Sequence, residues 1–201
     1  MADAAKNDDK NVSAGKGVAG GYFFVAPKGT TMPTDLKTKL DEKFTNLGFV
    51  SEDGIAFATE TDSEELRDMN GDVMDTSKTS HAETLTVTFA EVKKDVMAVL
   101  YGSKNVTDAS GLLTVHVKPD EPEEVCAVLE LVLKNGRRWR RLIPSMKLKE
   151  LGDLTIASSE LMGREATFAV MRDAKTGDFY TDFYDSTETA AAMAMSAKGK
   201  E

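Results

Sequence analysis

Cysteine, histidine and long apolar runs are scarce in this chain. Its 201 residues include one cysteine, Cys126, and two histidines, His81 and His116. A single cysteine excludes a disulfide framework within the chain, and the CxxC and HExxH spacings of metal sites are absent. No apolar run approaches the roughly 20 residues of a membrane-spanning helix, and no apolar stretch of a secretory signal follows Met1. We therefore expect no membrane association.

The composition predicts one β domain with an arm at each end. Hydrophobic residues make up 41% of the chain, which is enough for a core. Residues 1–20 are polar and without period, and residues 186–201 are rich in Ala, Met, Ser and Lys. We interpret both as flexible arms that flank a folded domain over residues 21–185.

Acidic residues outnumber basic ones, and the two kinds are separated along the chain. There are 34 acids against 25 Lys and Arg, for a net charge of -9. Residues 52–75 hold only one base, Arg67, among nine acids: Glu52, Asp53, Glu60, Asp62, Glu64, Glu65, Asp68, Asp72 and Asp75. Residues 137–150 are basic instead. The opposite charges would steer copies of the chain toward one another, or they are two unrelated solvated faces.

Alternating apolar residues predict a mainly antiparallel β fold, a sandwich or half-barrel with one or two flanking helices. Leu85, Val87 and Phe89 alternate with threonines, and Asn135-Gly136 is a hairpin turn signal. The predicted strands cover 22–26, 46–51, 55–59, 84–89, 113–117, 125–134, 137–144 and 146–157, with a last hairpin of 165–172 and 178–185.

Two helices and one long connection are predicted between these strands. Leu36, Leu40, Phe44 and Leu47 form one stripe after Thr34, a possible N-cap, and predict a helix over 34–47. A second helix is expected over about 91–101. Residues 60–80 are polar and aperiodic around Asn70-Gly71, which indicates a long loop or an extended hairpin.

Motifs for chemistry are incomplete. Gly15 to Gly20 matches G-x-G-x-x-G, but a polar arm precedes it and a strand follows, so we interpret it as a hinge. Asp68, Asn70 and Asp72 resemble part of a calcium loop whose closing Glu is absent, since Thr79 holds that position. Cys126 lies in an apolar strand, where a thiol is usually inert. We predict neither an enzyme nor a bound cofactor or metal.

The densest basic cluster is Arg137, Arg138, Arg140 and Arg141 around Trp139. Arginine forks suit carboxylates at interfaces, which favours pairing between subunits with the acids Glu60, Asp62, Glu64, Glu65, Asp68, Asp72 and Asp75. Nucleic-acid binding, with Trp139 stacking on a base, and ordinary surface charge are the alternatives.

The order of motifs resembles a known family. Phe24 to Gly54 reads FVAPKGTTMPTDLKTKLDEKFTNLGFVSEDG, with a strand, a PTD helix start and an LGFVSEDG exit. With the later run Trp139 to Thr155 and the segment Gly163 to Met171, this order resembles the major tail tube proteins of long-tailed bacteriophages, siphovirus type.

The resemblance implies a structural virion protein. Its expected form is a ring of six subunits, with rings stacked into a hollow tail tube through which DNA is ejected without specific binding. The segment 60–80 and the arms would make contacts between rings. Partners would be other copies and the tape measure, tail terminator and distal tail proteins; the location would be the virion tail, after assembly in the host cytoplasm. A tube protein of a contractile injection or secretion device and a small β-rich nucleic-acid-binding module remain alternatives.

Overall fold

The computed structural model describes residues 12–158 and 162–186. Within them lie one α-helix, α1 (Lys94–Tyr101), and two 3-10 turns, Ser103–Asn105 and Lys134–Gly136. The strands, in chain order, are β1 (Gly15–Gly17), β2 (Phe23–Pro27), β3 (Thr45–Asn46), β4 (Val50–Arg67), β5 (Val73–Phe89), β6 (Val106–Ala109), β7 (Leu112–Val115), β8 (Val125–Leu133), β9 (Arg138–Leu151), β10 (Arg164–Val170) and β11 (Thr181–Tyr184).

Nine of these strands form one antiparallel sheet. Its order is β3-β2-β8-β9-β10-β5-β4, with β1 beside β8 and β11 beside β9. β6 and β7 form a separate hairpin, so the predicted strand at 113–117 lies outside the main sheet. The predicted fold class, mainly antiparallel β with a flanking helix, is confirmed.

The sheet curls around a single apolar core. Phe23 of β2 stacks on Phe89 of β5 with ring centroids 5.8 Å apart, and Phe89 meets Phe168 of β10 edge-on at 6.5 Å. The hydroxyl of Tyr22 also accepts a hydrogen bond from the amide of Val50, at the start of β4. Because β2 and β5 are far apart in the sheet order, these contacts enclose the core between the two halves of the sheet.

The helix predicted over 34–47 is wrong. The segment is irregular up to β3, and the carboxylate of Asp35 accepts the backbone amides of Lys37 and Thr38, both at 2.6 Å. The carbonyl oxygens of Asp35 and Thr38 accept hydrogen bonds from the Arg140 guanidinium. In a helix these carbonyls would accept amides four residues further along, so a residue distant in sequence replaces the helical pattern.

The predicted pairing of the last two strands with each other is also wrong. The turn at 173–177 is present, since the amide of Gly177 donates to the Asp173 carbonyl at 2.9 Å, but β10 and β11 do not pair with each other. β10 pairs with residues 146–151 of β9 and β11 with residues 139–142. β9 is one continuous strand where we predicted two, and Pro144, which has no amide hydrogen, falls between its two partners.

The N-terminal glycines form a paired strand rather than the predicted hinge. Gly15–Gly17, predicted to belong to the flexible arm, forms β1 and pairs with residues 131–133 of β8. A Cβ at Gly17 would lie 2.5 Å from the Tyr22 ring, so glycine permits this close approach. No helix follows β1, and the requirement of the dinucleotide fingerprint is therefore not met. The remainder of the predicted arms, 1–11 and 187–201, lies outside the described residues.

Helix α1 is shorter than predicted and closes one end of the core. Its buried residues are Val96, Val99 and Leu100. It begins at Lys94 rather than Glu91, because Lys93 before it is extended, with φ of -141° and ψ of 162°. The Glu91 carboxylate accepts the amide of Phe49 at 2.8 Å. The helix ends at Tyr101, and the following Gly102 has φ of 88° and donates to the Ala98 carbonyl at 2.9 Å.

Candidate assembly surfaces

The acidic segment is a projecting hairpin rather than a loop. β4 and β5 pair continuously from Ile55↔Val87 to Arg67↔Val73, with irregularities after Asp62 and Leu66. Residues 58–67 and 69–80 are all exposed, whichever way their side chains point. The outer part of this hairpin, residues 60–80, is called the acidic arm below. A two-stranded ribbon with both faces in solvent contributes little stability by itself.

The tip of the acidic arm is a tight turn organised by Asp68. The Asp68 carboxylate accepts the amides of Asn70 at 2.8 Å and Asp72 at 2.9 Å, and Gly71 supplies a φ of 88°. These bonds, led by the one from Asp72, hold the pKa of Asp68 below its ordinary value. The partial calcium motif is thus explained by turn formation. Within residues 12–158 and 162–186, no group of three or more His, Cys, Asp or Glu is placed to hold a metal ion.

The arm also carries exposed apolar side chains among its acidic residues. Met69 is 104% exposed at the tip, and Leu66, Val73 and Met74 are 62%, 48% and 63% exposed. Such residues in a solvated ribbon are typical of surfaces that another protein covers.

All seven predicted acidic interface residues lie on the arm: Glu60, Asp62, Glu64, Glu65, Asp68, Asp72 and Asp75. Three of them have side-chain partners on the arm itself, since Ser80 donates to Asp62 at 2.7 Å, Asn70 donates to Asp68 at 3.2 Å and Arg67 pairs with Glu65.

The foot of the arm contains a polar cluster that sequence reasoning missed. Glu83 is 5% exposed although it is charged. Its carboxylate accepts the Thr59 hydroxyl at 2.9 Å and lies 2.8 Å from Nε2 of His81, whose ring contacts Phe179. A Glu at a core-facing position in an alternating strand was the available signal.

The four predicted arginines contact groups of their own chain. Arg138 pairs with Asp185 at 3.0 Å, Arg141 with Asp182 at 2.7 Å and Arg140 with Glu130. Nε of Arg137 donates to the Asp185 carbonyl at 3.0 Å. Arg140 and Arg141 have only 9% and 11% of their side chains exposed, while that of Arg138 is 40% exposed. Their pairing with the acidic arm of another subunit stays a prediction.

Arg141 holds three aromatic rings together. Its guanidinium carbon lies 4.1 Å from the centroid of Tyr180, 4.2 Å from that of Phe57 and 5.1 Å from that of Trp139. Although burial lowers the pKa of Arg141, its hydrogen bonds to Asp182 more than offset that effect and the pKa is raised. The side chain is therefore a cation that fixes β11 against β9 and β4.

Cys126 is buried in β8. Its Sγ lies 3.5 Å from the carbonyl oxygens of Ala26 and Pro27, and burial raises the pKa of the thiol. A thiol that is both buried and protonated is a poor nucleophile.

Two further features of the sheet bear on association. β4 pairs with β5 along one edge, and within the described residues its other edge has no strand partner over 18 residues. The face of this region opposite the core presents mostly small side chains, Ala56, Ala58, Thr84, Thr86, Thr88 and Thr167, together with the exposed Glu165. An open edge of this length is a site where strands of another chain add.

An antiparallel sheet with an open edge and a projecting hairpin is typical of subunits that associate through their strands. The chain belongs to the phage tail tube protein family, whose model matches residues 4–193. It is therefore a structural component of a phage tail and not a member of an enzyme family. Within the described residues, no helix has the length and apolarity to cross a membrane.

Three solved structures that match this chain are components of contractile systems. The cap of the anti-feeding prophage is 13% identical over 92% of this chain and all of that chain, with a TM-score of 0.40. The sheath/tube terminator of the extracellular contractile injection system PVC, in the extended state, is 12% identical over 83% and 96% of the two chains, with a TM-score of 0.39. A chain of the PVC sheath-tube complex is 12% identical over 80% and 87%, with a TM-score of 0.37. No curated protein matches the chain.

Proposed function

We propose that the chain is the major tail tube subunit of a long-tailed phage of siphovirus type, and that six copies form a ring. Rings stack into the hollow tube through which DNA is ejected. Family membership supports the proposal, and the observation that carries it is the acidic arm, whose exposed faces and apolar tip have no partner within the described residues.

Strand addition at the edge of β4 supplies the contact within a ring. The 18-residue strand offers a row of backbone groups to the neighbouring subunit, and closing the ring leaves no edge exposed. The small threonine and alanine side chains on the face of β4 and β5 then line the lumen. This wall is smooth, and the acidic character of the subunit keeps DNA phosphates from adhering.

The acidic arm and the terminal segments supply the contact between rings. A head-to-tail contact repeated along an axis builds an open filament. The tape measure, tail terminator and distal tail proteins would meet the tube along its lumen and at its two ends. Assembly takes place in the host cytoplasm, and the product is part of the virion.

The test is negative-stain microscopy of purified protein at high concentration, beside a variant without the outer arm. Deleting residues 62–78 and changing Thr79-Ser80 to Asn-Gly leaves a two-residue turn between the paired Thr61 and His81. The unmodified protein is expected to form rings and hollow rods. The variant is expected to keep the circular dichroism of the folded domain and to form no rods.

Rods of normal length from the shortened variant would show that the arm is not part of the contact between rings. An unmodified protein that stays a single subunit at all concentrations and ionic strengths would overturn the proposed function itself.

A further inference from the structure

An apolar groove lies at the opposite end of the molecule from the tip of the acidic arm. It has a volume of about 310 Å³ and runs between α1, β7 and the start of β10. Large apolar side chains on its rim are exposed: Val92 by 57%, Val117 by 75%, Leu154 by 45% and Met162 by 45%.

Exposed apolar side chains are concentrated at these two places. Of thirteen large ones among the described residues, four line the groove and four lie at the outer end of the arm, namely Leu66, Met69, Val73 and Met74. Single exposed apolar residues are ordinary on a protein surface, whereas two clusters of them indicate surfaces that become covered.

The two clusters cannot meet within one copy. β5 has 17 residues, beginning at the tip with Val73 and ending at the groove with Phe89. At about 3.3 Å per residue, this strand separates tip and groove by roughly 50 Å. A contact between them is therefore between two copies, and it is head-to-tail.

The charges of the two surfaces are complementary. Arg164 lines the groove, and its buried Nε has no hydrogen-bond partner among the described residues. Its guanidinium carbon lies 5.8 Å from the Tyr101 ring. The groove's own acid, Glu91, is paired with Lys93 at 3.0 Å. The incoming tip offers Asp72 and Asp75, either of which supplies the carboxylate that the arginine lacks.

We infer that the groove beside α1 receives the tip of the acidic arm of a second copy, with Met69 and its apolar neighbours in the groove and a tip carboxylate on Arg164. This inference rests on the proposed function and adds the receiving surface. The contact is directional, since each copy offers a tip at one end and a groove at the other.

Disulfide trapping tests the inference, because a disulfide requires Cβ atoms about 4 Å apart. Met69→Cys and Val117→Cys are made in separate full-length proteins, both at exposed positions, and mixed under diamide at assembling concentration. We expect a heterodimer from the mixture, a ladder of multimers from the double variant, and neither from the unmodified protein, whose Cys126 is buried.

Leu112→Cys replaces Val117→Cys in the matched control, since Leu112 is 67% exposed, does not line the groove and lies outside the terminal segments. No heterodimer with Met69→Cys is expected there. A cross-link between Met193→Cys and Val117→Cys, with none from Met69→Cys, would overturn the inference in favour of the C-terminal segment. Homodimers of Met69→Cys alone would overturn the head-to-tail geometry.

A second test measures rod formation and does not depend on a disulfide. Val117→Asp places a carboxylate where the acidic tip should dock and is expected to abolish rods, whereas Leu112→Asp is expected to leave them. Rods from the unmodified protein and from Val117→Asp alike, with no trapped heterodimer, would overturn the docking and leave the proposed function standing. Absence of rods even from the unmodified protein would contradict both the docking and the proposed function.

Discussion

Arg140 shows how one side chain determines the shape of a distant loop. It is 7% exposed, and its guanidinium donates to Glu130 and to the carbonyls of Asp35 and Thr38. The sequence identified the arginine as charged and accessible, whereas the fold uses it to replace helical hydrogen bonds about a hundred residues away. Nothing in the local pattern of either segment indicates this contact, which is why residues 34–47 were predicted as a helix.

Replacing Arg140 should therefore destabilise the subunit rather than its contacts with other copies. Arg140→Ala leaves a carboxylate and two carbonyls without a buried donor, and we expect a loss of about 3 kcal/mol in the free energy of unfolding. Urea unfolding followed by far-UV circular dichroism measures this loss.

Arg138→Ala is the matched control on the same face of β9. Its pair with Asp185 is partly solvated, with 40% of the Arg138 side chain exposed, and we expect a loss of no more than about 1 kcal/mol. Equal losses in the two variants would contradict the role assigned to Arg140. Charge reversal at Arg138 tests a contact between subunits more cleanly than reversal at Arg140, which would also disturb the fold.

At the scale of elements, β11 is a short strand held to β9 largely by side chains. Its four residues pair with 139–142, and Asp182 and Asp185 bind Arg141 and Arg138 at the two ends. Trp139 donates to Asp182 at 3.0 Å and stacks on Tyr184 with centroids 5.7 Å apart. Trp139 is the only tryptophan in the chain, so its fluorescence reports whether β11 is in place.

Acid should release β11 before the rest of the sheet unfolds. Hydrogen bonds from the Arg138 side chain, and then from its backbone amide, hold the pKa of Asp185 below its ordinary value. The stabilisation is therefore complete above the unfolded-state pKa of about 4 and is lost as the pH falls through the lower folded-state pKa. We expect Trp139 fluorescence to be constant from pH 7 to about pH 4 and to change below it, ahead of the far-UV circular dichroism.

Asp185→Asn removes the titrating group and supplies the comparison. Its Trp139 signal should already be altered at neutral pH, and the acid step should be smaller. If fluorescence and circular dichroism change together, with the same midpoint in both proteins, β11 has no separate acid transition.

The elements that sequence could predict are those with a strong local pattern. β5 and β8 follow from apolar alternation and from an apolar run, and the β8-β9 turn follows from Asn135-Gly136. The pairing of β10 and β11 could not be predicted, because adjacent strands with a turn between them usually pair and only Pro144 in β9 hints at separate partners. Among site residues, the acids lie together because they are close in sequence and their role in assembly stays a prediction, whereas the apolar tip and the groove depend on exposures that the fold alone determines.

At the scale of the whole molecule, stability is divided unevenly between the body and the acidic arm. Phe23, Leu85, Leu129 and Ile143 are at most 1% exposed and belong to one core, whereas the outer arm buries almost nothing. Segments with few buried contacts open locally at low free energy. A single subunit thus combines a stable sheet with an arm that gains stability only when another copy covers it.

Hydrogen exchange should make this division visible. In dilute, unassembled protein, the amides of residues 61–80 are expected to exchange much faster than those of β2 and β8. Assembly should slow exchange at the arm tip and along the open edge of β4 while leaving the core unchanged, because only those backbone groups gain partners or cover. Mass spectrometry of peptides before and after assembly measures this difference. An arm protected equally in both states would mean that it is stable without a second copy, and its apolar tip would then need another explanation.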